Sequence, residues 1–430
     1  MARARRLLLD TTPLRVSSDF RRLWGGLALA HIGSQLTILA IGLQVYRITR
    51  STFNVGLVGL FALVPLLVMG LYGGALADTR DRRRVAMTAS FVMWCCTLAL
   101  VAQAVAGASN VIVLYVLVAI QSGAMAVNSP ARGAIIPRIM PAELLPAANA
   151  LTQVTHTIAL TAGPLLGGIL VASFGFAATY TVDAFTFTAA LYALWRLPPI
   201  PPLTSEKTAA LRGWRAVADG FRFLATAPNL RMTFLVDMAA MIFAFPRVLF
   251  PAIAALVIGG GDTTVGTLTA ALAVGSAIAT LLSGPVSRSR RHGRIIGGAV
   301  AAWGMSIAVF GVVIVLAGST SPPTIMWGTM ATACLALACA GAADAVSAVL
   351  RGTILQVAAP DDMRGRLQGV FIVVVAGGPR FGDMVLGTGA TALTEGWIAV
   401  IGGLACVVAV AALMRLQPQF ARYDARHPTP

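Results

Sequence analysis

The sequence predicts an all-α integral membrane protein, with twelve transmembrane helices in two pseudo-symmetric six-helix bundles. Three observations carry that expectation. Hydrophobic residues make up 57% of the 430 residues and charged residues only 11%, whereas a soluble domain carries about a quarter charged residues. The apolar residues gather in runs of about twenty, the length that crosses a bilayer core as a helix. Arginines fall between alternate runs, not evenly along the chain.

So few charges cannot clothe a water-facing surface, so lipid is the solvent around most of the chain. The net charge of +16 is almost wholly arginine. Its placement in short interhelical clusters points to lipid headgroups, not to nucleic acid. The cysteines (Cys95, Cys96, Cys334, Cys339, Cys406) lie within apolar runs, without metal-ligand spacing. They read as small buried hydrophobes. The basic N-terminal stretch lacks a long apolar core and a cleavage site, and reads as a cytoplasmic leader.

The apolar runs place spans at residues 23–45, 55–77, 85–106, 111–127, 148–172, 177–194, 232–257, 265–286, 295–317, 325–349, 367–392 and 398–414. The fourth and sixth are short, and the stretch between the fourth and fifth reads as a helical extension. Loop charge then sets the orientation. Loop 2–3 holds Arg80, Arg82, Arg83 and Arg84, and loop 4–5 holds Arg132 and Arg138. Loop 6–7 holds Arg196, Lys207, Arg212, Arg215, Arg222 and Arg231. Loop 8–9 holds Arg288, Arg290, Arg291 and Arg294, and loop 10–11 holds Arg351, Arg364 and Arg366. The odd-numbered loops have only Arg47 and Arg50 as cations, and add Asp262 and Glu395. The positive-inside rule therefore puts the even loops and both termini in the cytoplasm. The proline-rich loop 6–7 divides the chain into a bundle at 1–196, a linker at 197–229 and a bundle at 230–430.

The halves repeat. PARGAIIPRIMPAELLPAANAL after the fourth span aligns with VLRGTILQVAAPDDMRGRLQGV after the tenth. Arg132 then meets Arg351, Gly133 meets Gly352, Ile135 meets Ile354, Pro141 meets Pro360 and Glu143 meets Asp362. GPLLGG in the fifth span matches GPRFGD in the eleventh, and GGALADTRDRRRV matches SGPVSRSRRHGRI more weakly. All three pairs occur in order at offsets of roughly 210 to 220 residues. Parallel six-helix repeats suit alternating access, with a substrate site near the bilayer midplane.

GGALADTRDRRRV resembles the loop 2–3 signature of the major facilitator superfamily, and AGPLLGGIL resembles the glycine-proline signature of its exporters. SQLTILAIGLQVYRIT, the PAR…AIIP…AANAL segment, FPRVLFPAIA, DAVSAVLRGTILQVAAPDDMRGRLQGV and GGPRFGD are similar to the enterobactin (siderophore) exporter-type branch. The resemblance implies a multi-pass protein of the bacterial cytoplasmic membrane, a monomer, exporting a siderophore or amphipathic small molecule against protons. The alternatives are a multidrug pump without a siderophore role, a transporter or importer of another substrate, and a non-transporting membrane receptor or enzyme. One departure stands out. The arginine that many drug exporters place three residues before a Gln-Xaa-Gly is here Val118, ahead of Gln121 and Gly123. That arginine's proton-relay role does not carry over.

The resemblance also implies a cytoplasmic latch at Gly73, Gly74, Asp78, Arg82, Arg83 and Arg84, and a helix-bend signature at Gly163, Pro164, Gly167 and Gly168. Arg288 stands at the aspartate position of the second copy, so the latch is asymmetric. A positive-inside anchor and simple helix packing are the plainer alternatives for the two motifs. Asp183, Asp237, Asp344, Asp383, Arg132, Arg247, Arg351 and Arg380 lie within or near spans. Each costs roughly 2.5–3.5 kcal/mol to insert, so each is expected to face the interior and to find a partner. Arg380 and Asp383, three apart, share a helix face. Asp344 and Arg351 are two turns apart and need long reach or a water. Asp237 has no cation nearby on its own helix and is the first choice for protonation. Arg380 is the first choice for meeting an anionic substrate. His31, His156, Gln35, Gln44 and Gln121 add polar groups inside spans, and Phe243, Phe245, Trp303 and Phe371 add aromatic ones.

Other classes are disfavoured. The only lysine, Lys207, sits in a polar linker and forms no phosphate-binding Gly-Lys-Ser/Thr motif, so no nucleotide drives transport through this chain. No metal-binding His-Glu spacing and no Gly-Xaa-Ser-Xaa-Gly elbow occurs, so no enzyme is expected and no cofactor beyond a proton gradient.

Overall fold

The structure, a computed structural model, describes residues 11–201, 219, 221–282, 289–358 and 364–424. A short helical turn, Thr12–Val16, leads into eleven long elements. They are α1 (Ser18–Thr49), α2 (Thr52–Thr79), α3 (Arg82–Val105), α4 (Val111–Ile139), α5 (Leu145–Trp195), α6 (Pro228–Phe243), α7 (Gly261–Leu281), α8 (His292–Ala317), α9 (Trp327–Ala358), α10 (Arg364–Gly389) and α11 (Glu395–Leu416). No strand occurs among the described residues.

Ten helices among the described residues are long and apolar enough to cross a membrane. One of them carries two expected spans. α5 has 51 residues, about 76 Å if straight, against a hydrocarbon core of about 30 Å. Gly175, at φ 78° and ψ −178°, interrupts it. That backbone region is open to glycine and strained for any residue with a Cβ. The break falls between the expected spans at 148–172 and 177–194. α10 occupies the place of the eleventh expected span.

Boundaries follow local chemistry. Asp81 caps α3 by accepting from the Arg84 N–H at 3.0 Å, and Asn110 caps α4 by accepting from Ile112 at 2.9 Å. These side chains satisfy donors that a helix start leaves open. The extension after the fourth span is continuous with α4. The seventh span differs from expectation. In place of one helix over 232–257, α6 stops at Phe243 and the chain continues as a 3₁₀ turn (Pro246–Leu249), a short helix and a π-helical turn. Pro246 lacks an N–H and its ring disfavours helix at the residue before it. Arg247 sits in that interruption.

The chain forms two compact units. Unit 1 is Met1–Ile41 with Val64–Gly213, and unit 2 is Gly42–Leu63 with Trp214–Pro430. The segment 42–63 lies within the first half of the sequence but groups with unit 2. There Arg47 meets Asp262 at 2.5 Å, and Thr52 donates to Glu395 at 2.9 Å.

Unit 1 closes on buried Leu23, Leu27, Val85, Ala86, Val127, Ala131, Ile135 and Leu194, which join α1, α3, α4 and the end of α5. In unit 2 the α7–α9 crossing is set by two glycines. A Cβ on Gly275 would collide with the Ala338 backbone, and one on Gly341 with the Leu272 carbonyl. Helices in lipid gain no hydrophobic drive from meeting each other, so close backbone approach supplies the packing.

Candidate functional site

The buried ionic groups sort into distinct sets. In unit 2, Arg351 on α9 lies between two carboxylates. Its Nη1 is bound to Asp237 Oδ1 on α6, and its Nη2 reaches Asp344 Oδ1 at 3.5 Å. Side-chain exposure is 8% for Asp237, 13% for Arg351 and 34% for Asp344. The sequence reading gave Asp237 no cation because none lies nearby on its own helix. The structure supplies one from α9. The two-turn gap from Asp344 to Arg351 is bridged directly, though at the limit of a hydrogen bond. One guanidinium serving two carboxylates leaves one negative charge in excess. Such a group can take up a proton while Arg351 keeps a partner.

The second set in unit 2 is Arg247, Arg380 and Asp383. Asp383 lies in the field of both arginines, and its Oδ1 is buried without a hydrogen-bond partner. α2 presses against this place. A Cβ on Gly56 would stand 2.6 Å from the Asp383 carbonyl oxygen, and one on Gly59 3.0 Å from that of Arg380. Arg380, the expected anion contact, thus has a carboxylate in its surroundings. Nearby in sequence, Phe245 stacks on buried Trp303 with centroids 6.3 Å apart.

In unit 1, Asp183 on α5 is completely buried. Thr37 of α1 donates to its Oδ2 at 2.6 Å, and Thr97 of α3 lies 3.3 Å from the same oxygen. Gln121 reaches Thr97 at 3.4 Å. Arg132 on α4 donates through Nη2 to Ser90 at 3.1 Å, and Asn128 donates to the same hydroxyl at 2.6 Å. Among the described residues no carboxylate pairs with Arg132. His31 of α1 and His156 of α5 stand edge-to-face, 5.6 Å apart. Gln35 packs against Gly163, and Leu36 and Leu39 pack against Gly167. α5 remains helical through Pro164 and Gly168, and its non-helical residue is Gly175.

In loop 2–3 the described contacts run through Asp81 and the arginines after it. Gly73, Gly74 and Asp78 fall in the last turns of α2, and their side chains lie outside the described residues, as do Lys207, Arg288, Pro360 and Asp362. The organising carboxylate that is seen is Asp81. Besides capping α3, its Oδ2 accepts from the Ile200 N–H at 3.0 Å, and the Ile200 carbonyl accepts from the Arg82 N–H at 3.0 Å. Arg83 donates to the carbonyls of Leu194 and Trp195 at 3.0 and 2.5 Å. Arg82 donates to that of Ala134 at 3.3 Å. The loop therefore ties α3 to the end of α5 and to α4. An aspartate directly ahead of a helix start was the available signal.

A family model described as a transmembrane secretion effector matches residues 10–428. The enterobactin exporter EntS of Citrobacter koseri is 27% identical over 423 residues, covering 98% of this chain and 97% of its own. That of Escherichia coli O139:H28 is 28% identical over 386 residues, covering 88% and 87%. Among solved structures, the nucleoside transporter NupG matches with a TM-score of 0.70 at 16% identity, covering 93% of this chain and 98% of its own. A bacterial homologue of the iron transporter ferroportin, in an inward-facing state, matches with a TM-score of 0.67 at 13% identity, covering 94% and 98%. These likenesses establish the fold.

Proposed function

The chain belongs to the transmembrane secretion effector family of the major facilitator superfamily, and from that premise we propose that it exports siderophores or amphipathic small molecules in exchange for protons, by alternating access. It is a membrane transporter and not an enzyme. The likeness to enterobactin exporters along nearly the whole chain carries the substrate reading.

The energy source in this reading is the proton gradient. The carboxylates Asp237 and Asp344, sharing Arg351, are the proton acceptors. Asp344 is the more exposed of the two. Uptake of the proton frees one guanidinium face, and that shift in partner couples charge to helix position. Positive-inside loops place the arginine-rich ends in the cytoplasm of a bacterial inner-membrane protein, with Asp78, Arg82, Arg83 and Arg84 as the cytoplasmic latch. Arg47–Asp262 and Thr52–Glu395 then lie at the outer ends of their helices. A monomer suffices for this cycle.

The test is a deletion strain compared for siderophore secretion and for drug susceptibility. Loss of secretion, restored by the wild-type gene, is expected. Normal secretion with drug hypersensitivity would replace the siderophore reading with a multidrug one. In vesicles, collapsing the pH gradient is expected to stop export, and Asp344→Asn to remove its pH dependence. Export by Asp344→Asn with an unchanged pH profile would remove the proton role.

A further inference from the structure

The internal repeat places Arg132 opposite Arg351, and the two arginines differ in what surrounds them. Arg351 is held by Asp237 and Asp344. Asp344 precedes it by seven residues, two turns along the same helix face. The residue seven before Arg132 is Met125. α6 offers Asp237 to Arg351, whereas from α1 the titratable group in electrostatic reach of Arg132 is His31. His31 in turn sits edge-on to His156 of α5. The first half thus keeps the arginine and has no carboxylate where the second half has its own.

Among the described residues the half-buried Arg132 has one hydrogen bond, to Ser90, and its Nε has no partner. Burying an unpaired cation costs several kcal/mol, which a paired arginine avoids. Trp24, seven residues before His31 on α1, holds a second buried N–H without an acceptor. Its ring packs in an apolar cluster with Ile136, Met140 and Leu151. α1, α4 and α5 therefore gather a guanidinium, two imidazoles and an indole N–H beside an apolar wall. Each is a donor, or has a donor form, and among the described residues nothing accepts from Arg132 Nε or Trp24 Nε1.

We propose that Arg132, His31 and His156 form a binding site for an amphipathic organic anion, whose carboxylate or phenolate oxygens meet the Arg132 guanidinium while its apolar body lies against the Trp24 cluster. A planar guanidinium fork suits two oxygens of one acid group, and charge-assisted bonds of this kind are about twice as strong as neutral ones. The inference deepens the export reading and rests on it for the transport step. His31 lies in the electrostatic field of Arg132 and edge-on to His156. Ser90 and Asn128 complete its surroundings as neutral groups.

The test is isothermal titration of the purified full-length protein with 1-naphthoate and with its uncharged amide. No gradient is present, so the result is independent of proton coupling and of siderophore export. The wild type is expected to bind the acid at least tenfold more tightly than the amide. Arg132→Gln should erase that preference, and Arg22→Gln, at an exposed arginine of α1, should keep it. Met125→Asp supplies an internal carboxylate at the position that Asp344 holds in the second half. It should also erase the preference without loss of thermal stability, which covers the case in which Arg132→Gln fails to fold. Equal binding of acid and amide by the wild type overturns the proposal. So does a preference that survives in both Arg132→Gln and Met125→Asp.

Discussion

Replacing Arg351 by glutamine is the perturbation whose cost the structure ranks best. Asp237, with 8% of its side chain exposed, loses its ionic contact with α9, and Asp344 loses its partner at 3.5 Å. Removing one member of a buried pair typically costs about 3–5 kcal/mol, because the remaining charge is stranded. For units of this size that is a fall of roughly 6–20 °C in the unfolding midpoint. Asp237→Asn should cost less, since Arg351 keeps Asp344. Asp344→Asn should cost least, about 0.5 kcal/mol, because that pair is long and partly exposed. The double variant Asp237→Asn with Arg351→Gln should lie well above the sum of the single losses, with a coupling of about 1–3 kcal/mol. Tryptophan-fluorescence unfolding in detergent reads all four proteins under one condition. Strictly additive shifts for Asp237→Asn and Arg351→Gln would refute the pairing. So would the order reversed, with Asp344→Asn the most damaging.

Gly341→Ala should lower stability by about 1–3 kcal/mol through overpacking at the α7–α9 crossing, while Gly352→Ala, with nothing within 4 Å of its Cβ, should be neutral or slightly stabilising; thermal unfolding of the two variants separates them. Asp81→Ala removes both the cap of α3 and the acceptor for Ile200, and should cost about 0.5–2 kcal/mol and raise proteolysis after Trp195. Asp81→Asn should recover much of that, and equal damage from both would show that charge rather than capping matters. Arg47→Ala breaks a contact whose arginine is 51% exposed, so a loss above about 1 kcal/mol in midpoint measurements would contradict its surface character.

The apolar runs made the spans legible, because a bilayer demands one kind of segment and one length. The break at Gly175 was legible too, since it lies where two spans meet. The interruption at Pro246 was not, because a proline inside an apolar run is compatible with a continuous membrane helix when neighbours satisfy the freed groups. The pairing of Asp237 with Arg351 lay beyond sequence reasoning for a different reason. Intrahelical neighbours follow from spacing, but which cation a separate helix turns toward depends on helix rotation and crossing. The same limit explains Asp81. Resemblance drew attention to Asp78, whereas the structure's described contacts run through the aspartate that caps α3. Gly133 and Gly352 give the opposite lesson. They align in the repeat, yet a Cβ at either position would meet nothing within 4 Å, so their recurrence follows from something other than close packing.

The repeat is informative mainly where its copies diverge. Duplication gives each half an arginine on its fourth helix, at the same register, in surroundings poor in water. A buried arginine needs a counter-charge, and there are two ways to supply it. Unit 2 supplies it from its own chain, with three arginines (Arg247, Arg351, Arg380) against three aspartates (Asp237, Asp344, Asp383). Its charges balance, so a proton gained or lost changes which partner an arginine holds. Among the described residues unit 1 has one buried aspartate, Asp183, and its partners are the hydroxyls of Thr37 and Thr97, not Arg132. The carboxylate and the cation are thus both present but used apart. On the proposal made above, the half whose cation has no described internal partner takes an anion from outside, and the half whose carboxylates share one guanidinium takes the proton. Such a division would let proton and substrate act on different bundles of one transporter, with the coupling between them a property of the bundles' motion and not of direct contact between the two ligands.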